Sequence, residues 1–188
     1  MISLSTSNAM ANLSIMIGQE VSVENLRLRQ VSMDEVAQLM GGPEALTVGV
    51  YLTVSGSADG HMMLMYQPAI ALAFVDLLLG QELGSTRDLG EMEQSALGEM
   101  GNVVGSSFLN AMADSVSLRL MPSPPSVTMD MAGALLDIIA ADVLLTQDEA
   151  YIAETTFRTS DQRMSGVFFV IPGDSLMQAL EQSAGAVL

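Results

Sequence analysis

One order of patterns is met twice along this chain, and few folds accommodate both passes. From Met1 the apolar spacing reads as a helix closed by Gly18, then an extended run from Val21 to Val31 and a short helix from Ser32 to Met40. A hairpin and a helix from Ala69 to Leu79 complete the first pass. From Glu91 the order helix, strand, short helix, hairpin, helix begins again. Apolar residues three and four apart mark a helix face, and strict alternation marks a half-buried strand. A recurrence of this length is expected of two like units built around a shared core. The chain therefore reads as one domain, residues 1–188, made of two fused repeats, about 1–84 and about 85–188.

Local signals sharpen several elements. Ser32 and Glu35 stand at capping-box spacing, and Gly41, Gly42 and Pro43 stop the helix they open. Val48, Val50, Leu52 and Val54 alternate with smaller or polar residues, which predicts a half-buried strand returning through His61–Tyr66. Leu26 and Leu28 fall out of phase with Val21, Val23 and Val31, as a bulge would require. Pro68 suits a helix start and Gly80 a helix stop. Asp88, three residues ahead of Glu91, is the expected N-cap of the long helix. Val116, Leu118 and Leu120 alternate with Ser115, Ser117 and Arg119, and Val127, Met129 and Met131 alternate with Ser126, Thr128 and Asp130. These predict two strands separated by a proline-rich break. Tyr151–Phe157 and Val167–Ile171 read as the second hairpin, followed by a closing helix over Asp174–Ser183.

Charge excludes some functions. Twenty-two acidic residues face six basic ones, all arginine, for a net charge of −16. A field of that sign repels phosphate backbones, so no nucleic acid partner is expected. The composition resembles that of proteins from salt-in halophiles, which points to an archaeal, halophilic source and to structure that loosens in dilute salt. The melting temperature is expected to rise with potassium chloride between ~0.1 and ~3 M as screening relieves the repulsion. A melting temperature indifferent to salt would contradict this. No apolar run reaches the ~18 residues a membrane span needs, and no basic, then apolar, leader opens the chain, so a cytoplasmic protein without a membrane partner is expected. The absence of cysteine rules out disulfides and thiolate chemistry.

The helix beginning at Glu91 carries two stripes. Leu97, Met100, Val104, Phe108 and Ala111 form the apolar one, and Ser95, Glu99, Asn102 and Ser106 the polar one. Glu99 and Asn102, one turn apart, point the same way. A carboxylate and a carboxamide on a rigid rod can grip a partner and orient a water, but such a pair is also ordinary on a solvated helix face. The wider segment decides between these. Ser95, three residues, Glu99, two residues, Asn102, twenty-two residues and Pro125 resembles the active-site signature of the CheC/CheX/FliY family of chemotaxis phosphatases. The flanking E-M-G-N-V-V-G, L-N-A-M-A-D and P-S-P-P-S-V-T-M-D-M-A-G-A resemble that family's second repeat.

The resemblance implies a CheC-like α/β (α+β) fold with pseudo-two-fold symmetry. It implies a phosphatase acting on a phosphorylated CheY-type receiver, with Asn102 aligning the attacking water and Glu99 anchoring the receiver. Ser95 would support the helix face and Pro125 would shape the backbone beside it. No cofactor of its own is implied, because Mg2+ comes with the response-regulator substrate. The alternative is a non-catalytic adaptor that binds the receptor deamidase CheD. Either a monomer or a homodimer is compatible with the family. Overlaying Leu26 on Pro125 sets Ser3 on Asn102 and puts the Glu position before residue 1, so one working site is expected, in the second repeat.

Other chemistry finds little support. His61, the single histidine, has no acidic or serine partner at a diagnostic spacing and reads as a strand residue. One histidine and no cysteine leave no zinc set, and Asp130, Asp137 and Asp142 read as surface positions rather than a magnesium site, so no metal ligands are assigned. Gly98, Gly101 and Gly105 imitate a phosphate loop but fall within the helical pattern, where they are expected to admit the close approach of another helix.

Overall fold

Alternating apolar residues at 46–56 and 60–66 build a hairpin, β2 (Leu46–Gly56) and β3 (Gly60–Tyr66), at the centre of one antiparallel sheet. The computed structural model describes residues 2–143, 149–159 and 163–185. The first half runs α1 (Ile2–Ile17), β1 (Ser22–Ser32), α2 (Met33–Leu39), β2, β3 and α3 (Pro68–Leu78). The second runs α4 (Glu91–Val116), β4 (Leu120–Pro122), β5 (Ser126–Met131), α5 (Ala132–Val143), β6 (Glu149–Arg158), β7 (Arg163–Pro172) and α6 (Asp174–Gly185). The strand order is β1-β6-β7-β3-β2-β4, with β5 also on β2.

That order reads the same under exchange of the halves. The hairpins meet at β3 and β7, while each half's leading strand pairs with the other half's hairpin: β1 with β6, and β4 and β5 with β2. The repeats are thus interleaved, and the strands that follow α4 are held by the first half.

Helices cover both faces. On one side Val48, Val50, Leu52, Met62 and Leu64 pack with Leu13 of α1, Phe74 of α3, and Leu97, Met100 and Leu109 of α4. On the other, Met63, Met65 and Phe169 pack with Val36 of α2 and with Leu135 and Ile139 of α5. β2 is therefore covered on both faces rather than half-buried as its alternation predicts, because Thr47 and Gly49 are buried too, Gly49 beneath Leu135 of α5.

Several local readings hold. Ser32 caps α2, its hydroxyl accepting from Glu35 N–H, and Pro68 opens α3. Gly18 and Gly80 end their helices in the left-handed region, at φ 73° and 64°. The irregularity of β1 falls between Val23 and Asn25. Other readings are corrected. Residues 115–116 belong to α4, which ends with Ser117 at φ 53°, and the strand after it is limited to Leu120–Pro122. Burial of Leu109 and Ala113 keeps the helix going past the short alternation there. Gly90, not Asp88, caps α4.

The glycines of α4 face a strand rather than another helix. A methyl group on Gly101 would overlap Val50 Cγ1 of β2, one on Gly98 would meet Pro125 Cγ at 3.4 Å, and one on Gly105 would meet Leu52 Cδ2 at 3.5 Å. The helix lies directly on the sheet along this line. Met129 and Met131, whose alternation matches a buried face, lie exposed on β5.

Candidate functional site

α4 crosses the sheet with its buried stripe down, so the opposite stripe has to face outward. Ser95, Glu99 and Asn102 are all exposed on it. Ser106, a turn beyond Asn102, donates a long hydrogen bond of 3.4 Å from Oγ to Asn102 Oδ1, steadying the carboxamide from below. The approach of α4 to the sheet at Gly98 brings this face against Pro125. Ser95, Glu99, Asn102 and Pro125, with Gln94 and Ser123, line one cleft of about 700 Å³. Four positions spread over thirty-one residues are thereby gathered into one surface feature. A second hollow of about 410 Å³, walled by Met16, Leu79 and Met92, shares Ser95 and Glu99 with the first, which makes those two side chains the ridge between them.

The cleft holds the carboxylates of Glu91 and Glu99, the carboxamides of Gln94 and Asn102, the hydroxyls of Ser95 and Ser123, and prolines. Glu99 accepts hydrogen bonds and pairs with a cation, and Asn102 both donates and accepts, so together they can bind a basic partner and fix a water. Among the described residues no group of acidic and histidine side chains is arranged to hold a metal. His61 lies on the α2 and α5 side of the sheet, its Nδ1 2.7 Å from the Tyr51 hydroxyl, away from the cleft. Asp130 accepts the N–H of its neighbour Met131 at 2.7 Å, and the Asp142 side chain lies outside the described residues. No described helix is long and apolar enough to cross a membrane.

Two residues that support the site escaped the sequence reading. Ser123, set between prolines, joins the cleft wall to β2. Asp76, the one charged residue of α3, is fully buried and organises the loop leading into α4. Its carboxylate accepts from Gly84 N–H at 2.6 Å and Thr86 N–H at 2.8 Å. Burial by itself would raise its pKa, but the hydrogen bonds from the Thr86 side chain and from the Thr86, Gly84 and Ser85 backbone outweigh it and hold the group below the ordinary 3.8. A carboxylate depressed in the folded state adds stability that is present above the unfolded pKa and lost as pH falls through the folded one. Asp76→Asn is therefore expected to cost about 1–3 kcal/mol at neutral pH, with the gap to wild type closing below pH 3.8. Urea unfolding of both proteins across pH would show this, and a gap independent of pH would contradict it.

Residues 92–129 match the CheC-like family. The chain is 28% identical over 187 residues to the CheY-P phosphatase CheC of Bacillus subtilis (strain 168), covering 97% of this chain and 88% of that protein. The fold is similar to that of Thermotoga maritima FliY, with a TM-score of 0.70, 19% identity, and 96% and 90% of the two chains covered. It is also similar to a chain of the CheX-CheY-BeF3-Mg2+ complex from Borrelia burgdorferi, with a TM-score of 0.53, 15% identity, and 90% and 97% covered.

Proposed function

We propose that this chain, which belongs to the CheC-like family, hydrolyses the aspartyl phosphate of a CheY-type receiver at the cleft between α4 and Pro122–Pro125. The observation that supports the reading is the gathering of Ser95, Glu99, Asn102 and Pro125 around one opening. A protein whose relative acts on CheY-P needs no nucleophile of its own, because the phosphoryl group already sits on a reactive acyl bond in the receiver. The receiver also brings the Mg2+ that offsets charge on the transferring group.

What remains is positioning. Glu99 pairs with a receiver lysine and fixes the docking angle. Asn102 enters the receiver's site and holds a water in line with phosphorus through its carboxamide. The water oxygen bonds to phosphorus as the bond to the aspartyl oxygen breaks, which releases the receiver's carboxylate and inorganic phosphate. Orientation of this kind can be worth several kcal/mol, enough to shorten an acyl phosphate's lifetime by orders of magnitude. Ser95 supports the face one turn before Glu99, and Pro125 sets the opposite wall. We read the halves, about 1–84 and about 85–188, as fused repeats of which the second carries the working site.

The test is the lifetime of the phosphate on a labelled CheY-type receiver with and without this protein. A lifetime shortened in proportion to added protein supports the reading, and an unchanged lifetime with correctly folded protein overturns it.

A further inference from the structure

Three of the four residues from Pro122 to Pro125 are prolines and carry no backbone N–H. The segment lies where β4 gives way to β5 along β2, with Pro122 facing Val54 and Ser126 facing Tyr51. Three residues, Ser123 to Pro125, thus stand opposite two, Leu52 and Thr53, so a regular ladder cannot run through.

Ser123 bridges this gap. Its N–H donates to Thr53 O at 2.8 Å, and its Oγ accepts from Thr53 N–H at 2.9 Å in place of a ladder carbonyl. The same hydroxyl donates to Pro124 O at 3.1 Å, which ties the next peptide to the bridge. Across the cleft, α4 is set on the same strand by the contact of Gly101 with Val50. Both walls therefore take their position from β2, one through the backbone of α4 and the other, where the ladder is broken, through the backbone N–H and the hydroxyl of Ser123.

We infer that Ser123 is a positioning residue, whose hydroxyl fixes the distance between the proline wall and Asn102 and so how the receiver's phosphoryl group is set against Asn102. This rests on the function proposed above. Loss of the hydroxyl leaves the Thr53 N–H without its acceptor and the Pro124 carbonyl without its donor. The wall then drifts while Glu99, on the helix, keeps its docking contact.

Ser123→Ala, Ser123→Thr and wild type are compared in three measurements. These are the maximal rate of receiver dephosphorylation, the affinity for a receiver loaded with beryllofluoride and magnesium, and amide hydrogen exchange at Thr53. Ser123→Ala is expected to lower the rate about tenfold, leave affinity within about twofold and speed exchange at Thr53, while Ser123→Thr restores both rate and protection. A wild-type rate in Ser123→Ala, or a matched loss of rate and affinity, overturns the positioning role. Unchanged exchange at Thr53 overturns the bridge itself. Should wild-type protein leave the receiver's phosphate untouched, the proposed function fails, and with it the catalytic part of this inference, while Thr53 exchange still decides whether Ser123 holds the wall.

Discussion

Asn102→Ala is expected to fold as the wild type does and to lose about 100-fold or more of its acceleration of receiver dephosphorylation. Asn102 is exposed, and alanine suits a helix better than asparagine, so the melting temperature should hold or rise slightly. Binding of a beryllofluoride-loaded receiver should change by no more than about threefold, since the carboxamide acts on a water whereas Glu99 makes the charged contact. Glu99→Ala should differ in kind, weakening docking as well as rate. Phosphate release measured at saturating and limiting protein separates the two effects. A fully active Asn102→Ala protein would contradict the assignment.

Gly101→Ala is expected to destabilise the fold, although the same change at an exposed helix position would stabilise it. Alanine gains about 1 kcal/mol in helix propensity over glycine. Against that, its methyl group would overlap Val50 Cγ1, and Val50 has no room to yield. It is fully buried, stiff at χ1, and paired with Leu64 of β3 on one side and Val127 of β5 on the other. Overpacking costs about 1–3 kcal/mol, and a rigid neighbour puts this site at the upper end, for a net loss of about 2 kcal/mol. In a chain of 188 residues that lowers the melting temperature by roughly 4–8 °C. Gly98→Ala is the internal control, because its methyl would meet Pro125 at an ordinary 3.4 Å and should be neutral or stabilising. Adding Val50→Ala to Gly101→Ala should show favourable coupling by relieving the overlap. A Gly101→Ala protein as stable as wild type would contradict this packing.

What the sequence made legible, and what it did not, divides by range. The polar stripe Ser95, Glu99, Asn102 and its partner Pro125 could be read from spacing and resemblance, since a helix projects residues three and four apart to one side. The capping of α2 by Ser32 and the opening of α3 at Pro68 were equally local. The exchange of leading strands between halves could not be read, because pairing of β5 with β2 joins residues far apart in the chain. For the same reason the small residues Gly98, Gly101 and Gly105 announced a close approach without showing that it is to a strand. The spacing of Asp88 and Glu91 favours a cap at Asp88, but the loop before α4 is held by Asp76 from within the core, and the helix starts from Gly90. Asp76 and Ser123 act through backbone groups of distant segments, and nothing beside them in the sequence reports that.

The most direct test of the site's location is amide shift mapping of the labelled protein titrated with a beryllofluoride-loaded CheY-type receiver. The changes are expected to concentrate on Ser95, Gly98, Glu99 and Asn102 of α4 and on Ser123 across the cleft. Changes confined to the exposed methionines of β5 or to α5, with α4 silent, would show that the receiver docks elsewhere and would contradict the phosphatase site proposed for this face.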